Sequence, residues 1–289
     1  MTVRERGYTH WDGEFKLRRF PWWPITRYGI KLTFKKKFFK FFFFFTLIPA
    51  LTFLVGIYIS ERLEDFRFMV RGQADFLQIN PLYFKSYFTN DFLLFMMVMM
   101  LVFVGAGLIS DDLKFNSLQL YFSRPIKKKD YLFGKAAVIF FYLSMITLIP
   151  GIVFLVMKLI FSGSFKFLSA YPWLPFSVLG YSLLVTGFFT LYALFLSSVS
   201  KNRRYVGILI FGIYVFLDIL FDIFYGIFKN QHFSLLSIKA NLQQLGASIF
   251  RQKPPFASGV IFPFLILLGL SVIAGLVLKR KVRGVEIIK

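Results

Sequence analysis

The side chains that most often carry out catalysis or bind metals are scarce in this sequence. Cysteine is absent, which excludes a disulfide framework and a thiolate metal site. The only histidines are His10, in an aromatic lead, and His232, far along the chain. Each is better explained as a structural residue than as a catalytic one. No Ser-His-Asp arrangement can therefore be argued from this sequence.

Two carboxylates lie within a strongly apolar segment. Asp218 and Asp222 are four residues apart, which places them on one face of a helix. Ionisable groups inside a membrane span are candidates for function, so both could line a translocation path. A packing role, or a position close to the membrane interface, explains them equally well.

The most informative charges occur in residues 105–135. Asp111 or Asp112 could cap a short helix, and Pro125 would end it. The buried side of that helix would comprise Leu113, Leu118 and Tyr121 or Phe122.

A basic run follows this helix, at residues 127–129. Asp130 then stands where an N-cap for the next long helix is needed. The positive charge alone would indicate only a topology signal beside anionic lipid.

Long apolar segments must position these residues. The chain of 289 residues is 57% hydrophobic and 17% charged, and its mean hydropathy is +0.66. Ordinary soluble domains contain about 25% charged residues. A span needs about 20 apolar residues and must be helical, because lipid offers the backbone no hydrogen-bond partners. The predicted fold is therefore an all-α membrane protein with six spans, at residues 38–60, 92–109, 136–161, 174–199, 205–228 and 260–278.

Two features refine the expected spans. Pro49 and Pro150 fall inside spans and are expected to kink them. Ser271 and Gly275 form a small-xxx-small pair, which is a weak signal of helix contact.

The placement of the basic residues predicts the orientation. The net charge of +21 could suggest nucleic acid, but the cations lie between apolar runs and form no single soluble patch. Most of the 35 Lys and Arg residues precede span 1, follow span 6, or lie between spans 2 and 3 and spans 4 and 5. By the positive-inside rule, those segments and both termini are expected to be cytoplasmic.

The chain is expected to form one membrane domain at residues 38–278, with flanking segments. Residues 1–37 are an amphipathic lead with a short helix after Pro24 in the headgroup layer, and residues 279–289 are a basic cytoplasmic tail. Before span 6, an outer stripe predicts an amphipathic helix that lies on the membrane or dips into the protein. The stripe comprises Leu235, Ile238, Leu242, Leu245 and Ile249, and Lys239, Gln243, Gln244 and Ser248 lie off it.

The order of residues in the 105–135 segment resembles the cytoplasmic loop of ABC exporter permeases of the second type. Those loops combine a glycine at the end of span 2, an acidic residue, a small residue, a Ser-x-Pro turn, a basic stretch, Tyr and Gly-Lys. The matching residues here are Gly107, Asp111, Asp112, Ser117, Ser123, Pro125, Lys127, Lys128, Lys129, Tyr131, Gly134 and Lys135. The six-span layout, the amphipathic lead and the outer stripe fit the same family, whereas the aromatic lead at residues 7–15 is found only in some of its branches.

The resemblance implies that residues 111–135 form a coupling helix that docks into a cleft of a separate ATPase. Asp111, Asp112 and Arg124 would make polar contacts there, while Tyr131 and Gly134 would set the packing of span 3. The implied interface comprises Asp111, Asp112, Ser117, Arg124, Pro125, Lys129, Tyr131, Gly134 and Lys135.

The implied assembly has two permease halves, identical or paralogous, and two ATPase subunits in the cell (inner) membrane. The sequence contains no G-x-x-x-x-G-K-[ST] phosphate loop, because Gly134-Lys135 lacks the upstream glycine and precedes Ala136. No cofactor is expected in this chain, and ATP and Mg²⁺ would be bound by the partner ATPase. Nucleic acid is not an expected partner.

Two alternatives stay open at the level of sequence. One is a six-span ion-coupled carrier or membrane enzyme with no ATPase, although the repeat symmetry and broken midplane helices of carriers are not evident. The other is an ABC-type scaffold that transmits mechanical work and moves no cargo.

Overall fold

The computed structural model describes residues 20–62, 79–122 and 126–282, and within these ranges the chain forms helices and no strands. The described ranges contain fourteen α-helices, with a 3-10 helix at Gln231–Leu236 before α13. They are α1 Trp23–Phe34, α2 Lys37–Thr46, α3 Ile48–Glu61, α4 Pro81–Phe88, α5 Asp91–Val104, α6 Ala106–Lys114, α7 Ser117–Phe122, α8 Lys128–Ile146, α9 Leu148–Ser162, α10 Lys166–Ala170, α11 Leu174–Val199, α12 Arg203–Phe228, α13 Ile238–Ile249 and α14 Ile261–Lys281.

Six helical stretches are long and apolar enough to cross a membrane, which confirms the predicted fold class. Spans 1 to 6 are Lys37–Glu61, Pro81–Lys114, Lys128–Ser162, Leu174–Val199, Arg203–Phe228 and Ile261–Lys281. Spans 2 and 3 are longer than predicted, because α4, α6 and the first turns of α8 extend the helices beyond the apolar runs. We call the end that carries Lys36, α7 and the start of span 5 the basic end, and the end that carries α10 and α13 the opposite end.

Spans 1 and 3 are interrupted where the sequence predicted kinks. Span 1 divides at Leu47, between α2 and α3, and span 3 divides at Thr147, between α8 and α9. Pro49 and Pro150 each follow within three residues. Proline lacks a backbone N–H and clashes with the carbonyl four residues earlier, so the regular helix ends just before it.

Span 4 is at the centre of the packing. Its helix α11 contacts α6, α8, α9, α12 and α14. Spans 2 and 4 are the most buried, whereas less than a third of the apolar stretch of spans 1, 5 and 6 is buried inside this single chain. The apolar faces of spans 1, 5 and 6 are thus available to lipid or to another subunit.

Helix α1 packs closely against the start of span 3. A Cβ atom at Gly134 would lie 2.9 Å from the Cβ of Ile25 and 3.0 Å from the carbonyl oxygen of Trp22, so only glycine permits this approach. The Thr26 hydroxyl donates a hydrogen bond to the Gly134 carbonyl at 3.0 Å. Gly134 therefore sets the packing of span 3 against α1, and the location of α1 in the headgroup layer stays a prediction.

The outer helix α13 is more buried than its stripe suggested. The predicted apolar positions Ile238, Leu242 and Leu245 are buried, but so is Gln244, which was expected on the polar face. Gln244 donates to the carbonyls of Phe256 and Gly259, and its own carbonyl accepts from the Phe256 amide. The placement of Gln244 off the buried side was therefore wrong: its amide satisfies backbone groups in the segment that leads to span 6. Helix α13 is thus packed against the rest of the protein, and its location relative to the membrane surface stays a prediction.

The close contact at Gly134 predicts that a methyl group added there destabilises the protein, whereas one added at a glycine without neighbours does not. Gly134→Ala should lower the thermal stability of the purified protein, because the added methyl group clashes with α1, and overpacking typically costs about 1–3 kcal/mol. Gly180→Ala is the matched control, since nothing lies within 4 Å of a Cβ atom there. Alanine is the better helix former by about 1 kcal/mol, so the control should melt at the same temperature as the original protein or higher. Equal melting temperatures for the two variants would contradict the close contact.

Candidate functional site

The residues of the predicted interface surround a helical turn at the basic end. Helix α6 ends at Lys114, Asn116 adopts a left-handed conformation with φ of 53°, and α7 begins at Ser117. Asparagine tolerates this conformation better than most residues, so it permits the sharp change of direction. The result is a short helix, α7, placed across the ends of spans 2 and 3.

Asp112 is the centre of this site. Its Oδ2 atom accepts a hydrogen bond from the Tyr131 hydroxyl at 2.6 Å and lies 2.7 Å from the Nζ of Lys135. The side chains of Lys135 and Asp112 are only 11% and 14% exposed. The Lys135 ammonium also lies 5.6 Å and 5.5 Å from the ring centres of Tyr121 and Tyr131. One carboxylate and one ammonium thus join α6, α7 and α8.

Aromatic packing supports the same junction. Tyr121 and Phe122 of α7 contact Tyr131 of α8, with ring centres 5.1 Å and 6.0 Å apart, and Leu118 is buried. Burial, and then the negative charge of Asp112, raise the pKa of Tyr121, so its hydroxyl stays protonated. Of the residues predicted for the buried side of the short helix, Leu118 is buried, whereas Leu113, Tyr121 and Phe122 are half-buried.

Asp111 points to a different neighbour. A Cβ atom at Gly107 would lie 2.6 Å from Oδ2 of Asp111 and 3.1 Å from Cδ of Arg203, so both side chains lie against this glycine. Arg203, the first residue of span 5, donates to the Phe103 carbonyl at 2.9 Å. Burial lowers the pKa of Lys36, Arg203 lowers it further, and Asp111 opposes both effects. Asp111 is therefore the acidic member of a charged junction between spans 1, 2 and 5.

Two local predictions about carboxylates were wrong. Asp111 and Asp112 lie inside α6 and cap no helix, because span 2 continues as helix through both residues. Asp130 is the third residue of α8, and Lys127 occupies the N-cap. The Asp130 carboxylate nevertheless accepts a hydrogen bond from the Lys127 amide at 3.2 Å, so it satisfies a free N–H group at the helix start.

The remaining interface residues fall into two groups. Ser117 is half-buried at the start of α7, and Lys129 is exposed in the first turn of α8. Arg124 and Pro125 lie outside the described residues, so their predicted roles stay predictions.

The sequence reasoning missed two exposed apolar side chains at the turn. Phe115 and Leu120 are 69% and 73% exposed, although each is large and apolar. Leu120 falls off the buried side of α7, which was the available signal, and Phe115 lies in the turn before that helix.

Asp218 and Asp222 lie at the opposite end and have different surroundings. Asp218 accepts a hydrogen bond from the Ser237 hydroxyl at 2.8 Å and pairs with Lys239 at 2.6 Å, whereas Asp222 is exposed. Burial lowers the pKa of Lys239, but the hydrogen bond and charge of Asp218, together with the charges of Asp91 and Asp222, outweigh it and the net shift is upward. Lys239 also lies 3.7 Å from Asp91 at the start of α5, so it links the outer helix to spans 2 and 5.

Within residues 20–62, 79–122 and 126–282, no group of three or more His, Asp or Glu side chains could hold a metal ion. At the basic end, the described side chains make charged and aromatic contacts.

The chain was compared with known protein families. The family model described as an ABC-2 family transporter protein matches residues 31–278, which include spans 1 to 5, most of span 6 and the segment at residues 105–135. A search of curated proteins found no match.

The contacts of Asp112 predict that substitutions of Asp112 and Lys135 have non-additive effects on thermal stability. Asp112→Asn should lower thermal stability, because it leaves the Lys135 ammonium nearly buried without its counter-ion. Breaking a buried pair from one side costs about 3–5 kcal/mol, and some water access to both side chains favours the lower end. The double variant Asp112→Asn with Lys135→Met should recover part of the loss, since no buried charge remains. Additive losses in melting temperature would show that the two side chains do not interact.

The contact between Lys239 and Asp218 predicts that Asp218 contributes more to stability than Asp222 does. Asp218→Asn should destabilise the protein by about 1.5–3 kcal/mol, the range for a hydrogen bond to a charged group, whereas Asp222→Asn should change little. The pKa of Lys239 is raised on folding, so its contribution is complete at neutral pH and is lost as pH rises through that pKa. Melting curves recorded as pH rises through the pKa of Lys239 measure this loss of stability. Equal losses of melting temperature in Asp218→Asn and Asp222→Asn would contradict the pairing of Lys239 with Asp218.

Proposed function

The chain belongs to the ABC-2 family of transporter proteins and is the membrane-spanning permease subunit of an ABC transporter, and we propose that it exports its cargo by coupling to separate ATPase subunits through residues 111–135. The observation that carries the proposal is the junction around Asp112, which fixes the turn between spans 2 and 3 to the start of span 3. Family membership also favours a transport subunit over the ion-coupled carrier and the membrane enzyme.

The coupling begins at the exposed side of the turn. Phe115 and Leu120 project from it, and they suit insertion into an apolar cleft of an ATPase subunit. Exposed cations of the basic run, including Lys129, would contact acidic groups at the rim of that cleft. Arg124 and Pro125 belong to the same proposed interface.

Movement of the docked turn would be transmitted directly to spans 2 and 3. Tyr131 and Lys135 belong to span 3, Asp112 belongs to span 2, and Tyr121 belongs to α7. Because one polar junction joins all three helices, closure of the ATPase subunits would shift the spans as a unit rather than bend a loop. In this proposal Asp112 is a positioning residue for the docking surface, and its own contacts are internal.

The proposed orientation places the basic end, both termini and the turn on the cytoplasmic side of the cell membrane, as the positive-inside rule requires. Two ATPase subunits would serve two permease halves, which are identical or paralogous. The exposed apolar faces of spans 1 and 5 leave room for the second half as well as for lipid. ATP and Mg²⁺ would be bound entirely by the ATPase subunits.

A cargo contact at the opposite end is better assigned to Asp222 than to Asp218. Lys239 and Ser237 already satisfy Asp218, whereas Asp222 is exposed on span 5. An exposed carboxylate on a span would interact with a polar or cationic part of a cargo.

The proposed docking surface can be tested by measuring how much ATPase co-purifies with this protein. The full-length protein, isolated from native membranes in mild detergent, should bring down a nucleotide-binding protein. Phe115→Asp and Leu120→Asp should each reduce that recovery at least tenfold, because a carboxylate in an apolar cleft loses its hydration. Phe165→Asp is the matched control: Phe165 is 76% exposed but lies at the opposite end. Unchanged recovery with the first two variants, or no nucleotide-binding protein with the original chain, would contradict the proposal.

A further inference from the structure

An apolar cavity of about 240 Å³ lies between spans 5 and 6, with span 4 behind it. Both spans pack along α11 of span 4, and the cavity occupies the space left between them. Phe188 and Tyr192 form its floor, Ile213 and Leu217 its wall on span 5, and Ala274 part of its wall on span 6.

The cavity presents no polar group that needs a polar ligand. Two of its lining residues carry hydroxyls, and each donates to a backbone carbonyl instead. Tyr192 donates to Ile210 at 2.8 Å, and Ser271 donates to Leu267 at 2.7 Å. Apolar cavities exclude water, and one of about 150 Å³ already accepts a molecule the size of benzene. The occupant that fits this space is therefore a hydrocarbon.

The mouth of the cavity is in the membrane-facing surface. Leu270 and Ile273 line it from span 6 and are exposed, whereas Ala274 and Phe188, deeper in the cavity, are buried. The exposed surface of span 6 around this mouth is apolar, so in a membrane it borders the acyl chains of the lipids. An acyl chain could enter sideways without leaving the hydrocarbon layer.

Small residues on span 6 create this space. The small-xxx-small pair Ser271 and Gly275 predicted a close helix contact, but a Cβ atom at Gly275 would have nothing within 4 Å. Ser271 and Ala274 instead line the cavity. The small side chains leave a gap in place of a helix contact.

The outer helix closes one end of the cavity. Ile238, the first residue of α13, is buried and lines it. Its neighbours Ser237 and Lys239 are both held by Asp218 on span 5. A chain in the cavity would thus contact spans 4, 5 and 6 and the base of α13 at the same time.

We infer that this cavity is a binding site for one acyl chain of a membrane lipid, which supports the outer helix α13 against spans 5 and 6. The site is separate from the docking turn, because it is lined from the membrane-spanning helices and α13 alone. The inference therefore does not depend on coupling to an ATPase.

The test compares a variant that fills the cavity with one that does not. Ala274→Phe places a ring in the cavity, whereas Leu268→Phe adds one to an exposed position of the same span that does not line it. The full-length proteins are purified in mild detergent, and bound lipid is counted by native mass spectrometry. We expect one lipid per chain in the original protein and in Leu268→Phe, and none in Ala274→Phe. Equal lipid retention in all three, or a cavity that retains detergent alone, would overturn the inference.

A second variant covers the case in which Ala274→Phe does not fold. Ser271→Leu replaces a small side chain on the cavity wall with a larger one, and it adds less bulk than Ala274→Phe does. Delipidated protein is mixed with a diacyl phosphatidylcholine that has 16-carbon chains, and its thermal melting is followed. The original protein should gain several degrees in melting temperature, and Ser271→Leu should gain at most a third as much. The same gain in both proteins would contradict an acyl-chain site here.

Discussion

The ion pair between Asp112 and Lys135 is the interaction on which the arrangement of the basic end depends. A lone charge at the end of an apolar bundle would have to reach water, but these two charges neutralise each other while nearly buried. Tyr131 completes the coordination of the carboxylate, and Tyr121 covers the ammonium. Because the partners come from spans 2 and 3, the pair fixes the turn between them and directs Phe115 and Leu120 outward.

The opposite end uses the same principle with different residues. Lys239 of the outer helix pairs with Asp218 of span 5, and Glu61 and Lys158 join spans 1 and 3. At each end, a charged contact ties spans to one another or to a connecting helix, while the apolar lengths between them are held by packing around span 4. Such an arrangement suits a permease whose helices move as units. The proposed acyl chain would add an apolar contact at the base of α13.

The six spans could be predicted because a helix that crosses lipid must be long and apolar. The breaks in spans 1 and 3 could be predicted from the positions of Pro49 and Pro150. The order of residues in the 105–135 segment indicated the family, which the match over residues 31–278 confirms. The partners within that segment could not be predicted, because the pairing of Asp112 with Lys135 depends on how spans 2 and 3 pack. Gln244 was misplaced for a related reason, since periodicity does not show that a later segment folds back onto the polar face. The cavity beside Ser271 is also a product of packing: small residues indicate either a contact or a gap, and only the neighbouring helix decides which.

The docking of the turn on an ATPase is tested most directly by a single introduced cysteine, because the chain contains none of its own. Cysteine is placed at Leu120, and a matched variant carries it at Phe165, so that the two exposed sites lie at opposite ends of the bundle. Native membranes are treated with a short thiol-to-amine crosslinker in the presence and absence of ATP. The account predicts that Leu120→Cys becomes linked to a nucleotide-binding protein in an ATP-sensitive manner, while Phe165→Cys does not. Equal crosslinking at both positions, or none at Leu120→Cys, would contradict it.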